Sequence, residues 1–581
     1  VVNAVAFSRD GKQLASGGFD SLNLWDMATG AQLRALAGHG GAITSLAFAP
    51  HGNTLASGSL DTNIKLWDAL TGKTIASLLA LDAKDWIVAS PDGLFDGSPA
   101  AWNNLLWRFG GNTFDVAPVE AFFNEFYYPG LLADLLSARK PAAPRTFSQL
   151  DRRQPEIKLA LATPQASPGA GLSARTVEVI IEVSEAPPDR NHATGSGARD
   201  VRLFRNGSLV QAWRGDALQK ASGKIVLNAT LTVIAGDNRL TAYGFNHDNI
   251  KSADATLMIK GAASLKRGGT AYILAVGINQ YANSAFNLRY AVADAQAVAE
   301  GLKQQQSRLG AFDQVEIVSL LDQQATKANI LGALSRFAGK DAAPLDASNP
   351  LSRIKPAQPE DMVVIYFASH GKADKNRFYI IPHDLGYKGA LSDIDEAGMQ
   401  SILSHSVSDV ELESALEKVD AGRLTIIMDA CNSGQALEAQ EKRRGPMNSK
   451  GLAQLAYEKG IYILTAAQGY QAALEAEKFG HGYLTYALIE DGLKAGAADS
   501  APKDGQITIQ EWLDYATGRV PQMQIETMKS ARGLKVAFVD GEEKIADANQ
   551  RSLQQPRVFY RRELDASSFI VAKPEAVQPN H

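Results

Sequence analysis

Cysteine is almost absent: Cys431 is the single one in 581 residues. That excludes an intrachain disulfide framework, and with it the small stapled domains of secreted proteins. A reducing, cytoplasmic setting is the expectation that follows. Long apolar runs are also absent, none approaching the roughly 20 residues of a membrane span, so no membrane partner is expected. Strong charge of either sign is missing too. The net charge of −5 implies no pull toward nucleic acid or an anionic membrane surface. What is present, 45% apolar and 21% charged residues, is the composition of a folded chain. The length calls for two to four domains.

The N-terminal stretch repeats itself. VNAVAFSRDGKQLASGGFDSLNLWDMATGAQL is followed by ITSLAFAPHGNTLASGSLDTNIKLWDALTGKTI. Each copy alternates apolar and polar residues in short strands, broken by Asp10-Gly11 or His51-Gly52 turns. Trp25-Asp26 and Trp67-Asp68 close the two copies, and Gly38-His39 lies between them. The period falls within about 40–45 residues, and the unit resembles a WD40 propeller blade. Two blades cannot close a ring of about four to eight, so further blades are expected upstream. Trp86 to Gly97 reads as one more hairpin around Asp92-Gly93. These blades, residues 1–115, are expected to bind a protein partner. Residues 116–154 read as a linking strap: an aromatic segment, Phe122 to Leu136, is interrupted by Pro129 and followed by a proline-rich stretch ending at Pro144. Its aromatics are expected to serve packing.

Residues 155–262 are strand after strand of alternating text, with Asn206-Gly207 as a hairpin signal. The expectation is an immunoglobulin-like β-sandwich without the cysteine pair of antibody domains, acting as a spacer or docking module. Beyond it, strands alternate with helices. Ala271–Ile278 is a strand, about 291–306 a helix, Gln314–Leu321 a strand and Lys327 to Phe337 a helix. Such text predicts a mostly parallel sheet covered on both faces.

Two strands of that region are built alike. Met362 to Phe367 is continuously apolar and runs into Ser369-His370-Gly371, and Thr425 to Met428 runs into Asp429-Ala430-Cys431. In an open α/β sheet the carboxyl ends of the strands form the binding edge. If the strands are neighbours, an imidazole faces a thiol there, and a thiol becomes a strong nucleophile once a base takes its proton. A lone cysteine is more often a small buried hydrophobe, but the matched strand ends favour catalysis.

The order strand–His-Gly, then strand–Asp-Ala-Cys-x-Ser-Gly, resembles the caspase-like cysteine peptidases, on the metacaspase, orthocaspase and paracaspase side. The roughly sixty residues between His370 and Cys431 are close to the caspase-type spacing of about fifty. The resemblance covers residues 266–562. Asn432 and Ser369 depart from it, standing where relatives often carry His and Gly. It implies a Cys431/His370 dyad, with the backbone N–H groups of Cys431 and Gly371 holding the oxyanion. It implies an acidic S1 pocket of Asp294, Asp429 and Glu475 and cleavage after Arg in preference to Lys. The substrates would be proteins or peptides. Residues 438–451 match the loop that is cut on activation in that clan, with Arg444 and then Arg443 as candidate cleavage sites. No cofactor is required by this reading. Calcium, which some metacaspases use, would draw on Asp384 and Asp409. The competing reading is a catalytically silent scaffold that acts through its WD40-like and sandwich modules. For residues 563–581 there is no functional expectation; the patch Phe569-Ile570-Val571 reads either as an added strand or as disorder.

Overall fold

The computed structural model describes the chain outside residues 20, 83–84, 111–114, 138–140, 164–170, 220–222, 341–342, 375–376, 432–449, 467–478, 501, 531–537, 540–541, 544–553, 562–568 and 575–581. The candidate pocket acid Glu475 and the candidate cleavage sites Arg443 and Arg444 therefore lie outside the described residues. The chain divides into two compact units. One holds Val1–Pro155 with two excursions, Glu185–Gly197 and Phe245–Ala253; the other holds the remainder.

In the first unit, strands Val2–Phe7, Gln13–Gly18, Leu22–Asp26 and Gln32–Leu36 form one antiparallel sheet in sequence order. Ile43–Phe48, Thr54–Ser59, Ile64–Asp68 and Thr74–Ala80 form the second. The expected hairpin Trp86–Ala89/Phe95–Gly97 extends this second sheet to six strands. Gly11 and Gly52 turn at φ +68° and +78°, a left-handed conformation that a side chain resists. A polar chain braces the second blade. The Trp67 indole N–H donates to Ser57 Oγ at 2.7 Å, the Ser57 hydroxyl pairs with His39 Nε2 at 2.8 Å, and His39 Nδ1 pairs with Asp61 at 2.9 Å. The aromatic strap is packing, as its composition suggests: Trp102 lies 4.9 Å from Phe123 and 4.7 Å from Tyr127.

The second unit contains a three-stranded and a four-stranded antiparallel sheet between Glu156 and Gly261. They share one core, to which Val179, Ile181 and Val183 contribute from the first sheet and Val201, Leu203 and Leu240 from the second. Asn206 and Gly207 both adopt positive φ, the requirement of a tight hairpin whose twist matches its strands.

The same unit holds the large sheet. Its order is Gln314–Leu321, Thr270–Gly277, Met362–Asp374, Arg423–Cys431, Tyr462–Ala466, then Arg557–Phe559. The first five strands are parallel, and the last is antiparallel. Their apolar text is continuous because both faces are covered. One face packs Ile273, Val364, Tyr366 and Ile427 under helix Ala291–Leu309 and helix Ile509–Ser530. On the other face Tyr272 meets Phe337 of helix Lys327–Phe337 at 5.3 Å. The late patch does add a strand: Ile570–Ala572 pairs with Ile507–Thr508, and its Val571 carbonyl accepts from the Gln306 side chain at 2.7 Å.

The sandwich and the large sheet are joined by charge. Arg175 makes a two-pronged pair with Glu360 at 2.7 and 2.8 Å. Arg205, 1% exposed, bonds Asp420 at 2.7 Å. Lys459 is buried, which pulls its pKa down to about 8; its ammonium donates to the carbonyls of Leu209, Val419 and Glu417. Arg202 bonds Glu458 at 2.7 Å, and burial raises the pKa of that carboxyl. Removing one member of such a pair strands a buried charge. Arg202→Met is therefore expected to cost about 3–5 kcal/mol in urea unfolding. Arg202→Met/Glu458→Met should regain most of that loss; equal losses in both would refute desolvation of the pair as the cause.

Candidate active site

The parallel ladder between Met362–Asp374 and Arg423–Cys431 runs without a shift. It pairs Tyr366 with Ile427, Ala368 with Asp429 and His370 with Cys431. Neighbouring strands lie about 4.8 Å apart, and alternate residues share a face. His370 and Cys431 thus occupy the last rung of the ladder, and His370 shares the face that carries Tyr366. Beyond it the His370 strand turns into an antiparallel hairpin with Arg377–Ile381, where Gly371 stands opposite Ile380.

His370 is 3% exposed. Its Nε2 lies 2.6 Å from the Phe286 carbonyl. A carbonyl only accepts, so Nε2 carries the proton and Nδ1 presents a lone pair. Nδ1 has no hydrogen-bond partner among the described residues. Burial pulls the imidazole pKa down to about 4, against the opposing pull of the Phe286 carbonyl. At neutral pH this is an uncharged base with its acceptor nitrogen available. Its main-chain N–H donates to the Tyr281 hydroxyl at 2.8 Å, and the Tyr281 ring stacks on the imidazole at 4.9 Å and 19°. Ser369, fully buried, donates its hydroxyl to the His370 carbonyl at 3.2 Å.

The acids are distributed as follows. Asp429, 3% exposed, sits two residues before Cys431 with Ala368 and Ala466 at its flanks. Asp294, 4% exposed, lies in the first turn of helix Ala291–Leu309. Its carboxylate accepts from His481 Nδ1 at 3.0 Å and from the Gly482 N–H at 3.1 and 3.2 Å. It thereby caps the helix that starts at Tyr483. Burial raises the pKa of Asp294, and the hydrogen bond to Asp294 in turn raises that of His481. Asp384 accepts the Lys327 N–H at 3.0 Å. Asp409 accepts the Phe378 N–H at 3.1 Å, lies 3.7 Å from the Arg377 guanidinium, and is pushed by burial to a pKa of about 6. No group of three or more potential metal ligands occurs among the described residues.

Sequence reasoning missed Tyr281, Phe286 and His481. Tyr281 had a faint signal, an aromatic four residues past a strand end in GINQY. Phe286 acts through its carbonyl, which leaves no trace in side-chain text.

The fold and this strand-end pair define an α/β domain of caspase type. Residues 270–537 match the caspase domain family. Residues 1–26 and 30–68 match the WD domain, G-beta repeat. The chain therefore carries a caspase-like domain behind N-terminal WD40 repeats. Among curated proteins it is similar to the periodic tryptophan protein 2 homolog of Neurospora crassa, at 33% identity over 17% of this chain and 12% of that protein. It is also similar to autophagy-related protein 16 of Arabidopsis thaliana, at 34% over 17% and 22%. Eukaryotic translation initiation factor 3 subunit I of Emericella nidulans matches at 34% over 16% and 28%. The chain spans under a third of the length of each. Among solved structures, the RRP9 WD40 repeats match at 27% identity over 16% of this chain and 31% of that one. The designed Ika4 protein matches at 27% over 20% and 75%. The TM-score is 0.13 for both, too low to support any fold statement.

The Asp294–His481 pair is open to titration. In the intact protein the His481 ring is expected to titrate above the ordinary histidine value of about 6.5. In Asp294→Asn it should fall back to that value or below, followed by NMR of the ring protons. An unchanged midpoint would mean that the carboxylate does not hold the proton.

Proposed function

We propose that this protein is a cysteine endopeptidase that cuts polypeptides after Arg, and less readily after Lys, using Cys431 and His370. The observation that carries this reading is the unshifted ladder that ends on the rung His370–Cys431, with a neutral imidazole there whose Nδ1 lone pair is available. In the proposed reaction Nδ1 takes the thiol proton and the sulfur attacks the scissile carbonyl. The negative charge on oxygen is held by the N–H groups of Cys431 and Gly371. The imidazolium then returns its proton to the leaving amine, which departs as the thioester forms. Water, deprotonated by the same nitrogen, hydrolyses the thioester and restores the thiol.

Arg specificity draws support from the burial of Asp429 beside the last rung. A desolvated carboxylate favours a guanidinium, which it can bind through two parallel hydrogen bonds. Asp294 and Glu475 complete the proposed pocket. Asp429 takes the larger share because it lies two residues before Cys431 on the same strand. Calcium enters this proposal as an optional activator through Asp384 and Asp409, which already serve main-chain N–H groups. The WD40 repeats are proposed to bind a protein partner, and the two-sheet module, read as immunoglobulin-like, to hold the peptidase in place, in a cytoplasmic setting.

Activation by self-cleavage after Arg444, or Arg443, follows from an Arg-specific enzyme that carries basic residues in its own 438–451 loop. Release of a fluorophore from peptides ending in Arg, Lys or Asp is the direct test. Cleavage is expected after Arg, reduced after Lys, and absent in Cys431→Ala and His370→Ala; cleavage after Asp would overturn the pocket. Because the neutral form of His370 is the active one, the acid limb of kcat/KM should lie near pH 4, instead of near the ordinary 6.5. A limb at 6.5 would mean that the base is solvated. Arg443→Ala/Arg444→Ala should remain a single chain under conditions that split the intact protein, and fragments ending in this loop from that variant would refute the assignment.

A further inference from the structure

The loop between strand Thr270–Gly277 and helix Ala291–Leu309 wraps the imidazole, and it is heavily anchored. The N–H groups of Asn279 and Gln280 both donate to Asp322 at 2.8 Å. The Tyr281 N–H donates to Asn287 Oδ1 at 2.9 Å, the Leu288 N–H to the Asn279 carbonyl at 2.8 Å, and the Ala282 N–H to the His383 carbonyl at 3.0 Å. From this rigid frame three groups reach His370. The Phe286 carbonyl holds Nε2, the Tyr281 hydroxyl holds the main-chain N–H, and the Tyr281 ring covers one face of the imidazole.

We propose that Tyr281 is a positioning residue for His370, whose hydroxyl pins the main chain and whose ring steadies the positive charge that arises when Nδ1 takes a proton. This rests on the reading of His370 as the base of the dyad. The need for such a group is physical. The imidazole is buried, and burial opposes its charged form. No described carboxylate or cation is hydrogen-bonded to it; the titratable groups placed beside it are Tyr281 from this loop and Cys431 at the paired strand position. An aromatic face is electron-rich and attracts a cation within about 6 Å. The stacking distance of 4.9 Å lies inside that range. The hydroxyl has a separate duty: without it the His370 N–H is left buried with its acceptor removed, and the strand end that aims the ring is freed.

Cys431 is the only thiol, so its alkylation by iodoacetamide at varied pH reports thiolate formation without any substrate. The full chain would be compared with His370→Ala, Tyr281→Phe and Tyr281→Leu, alongside kcat and KM on an Arg peptide. Tyr281→Leu loses the ring and the hydroxyl. It is expected to lower kcat about three- to thirtyfold with KM unchanged, and to move thiolate formation to higher pH. Tyr281→Phe keeps the ring and should keep the thiolate profile while kcat falls by a smaller factor. Wild-type kcat and thiolate profile in Tyr281→Leu would overturn the proposal. So would a fall in kcat with the thiolate profile unmoved, which is what a merely structural role produces. A His370→Ala protein with the wild-type thiolate profile would overturn the dyad itself, and this proposal with it. If Tyr281→Leu does not fold, Tyr281→Met, which keeps the bulk of the side chain, takes its place in the same comparison.

Discussion

The register between the His370 strand and the Cys431 strand is the constraint on which the rest of the site depends. In a parallel ladder a slip of one residue moves every side chain to the opposite face. Here such a slip would bring the apolar residues of Met362 to Phe367 out of register with their covers on both sides. The cores beneath helix Ala291–Leu309 and helix Lys327–Phe337 therefore hold the rung His370–Cys431 in place. Hydrophobic burial along the strand is converted into a geometric relation at its end.

Burial then sets the electrostatics. The imidazole is kept neutral by desolvation and oriented by a carbonyl, so a base is presented without a prior charge. Asp294 shows the other use of a buried carboxylate. It spends its lone pairs on His481 and on the N–H of Gly482, and in doing so starts the helix that closes over the sheet. Asp429, on the same strand as Cys431, is the acid whose position is tied most directly to the last rung. The same burial thus leaves one side chain a neutral base and makes another, Asp294, an acceptor for His481 and the Gly482 N–H.

The sandwich is bound to the large sheet as a partner within one unit. Arg175, Arg202, Arg205 and Lys459 lie at that join, and the last holds three carbonyls drawn from both sides. Glu458 and Lys459 end the helix that begins at Lys450, directly after the segment carrying Arg443 and Arg444. The two-sheet module therefore holds the helix just downstream of residues 438–449 through these ion pairs and carbonyl contacts.

Much of the fold was legible in the sequence. The WD repeats announced themselves by period, the hairpins by Asp-Gly and Asn-Gly, and the parallel strands by unbroken apolar runs of the length a strand needs. These features are local, and local physics decides them: turn conformations, side-chain alternation, burial on two faces. The same reasoning singled out His370 and Cys431, because each ends such a run. It did not extend to Tyr281, whose partner lies far along the chain, to Phe286, which acts through a main-chain carbonyl, or to the capping of a helix by Asp294. What the sequence alone determined was which strands and turns form and which reactive residues stand at their ends. Only the tertiary structure decided that the two strands are neighbours in register, that the base is buried and neutral with its proton on Nε2, and that Asp294 is already engaged. Strand order, desolvation and hydrogen-bond partnership are properties of groups brought together from distant positions, and no single stretch of sequence contains them.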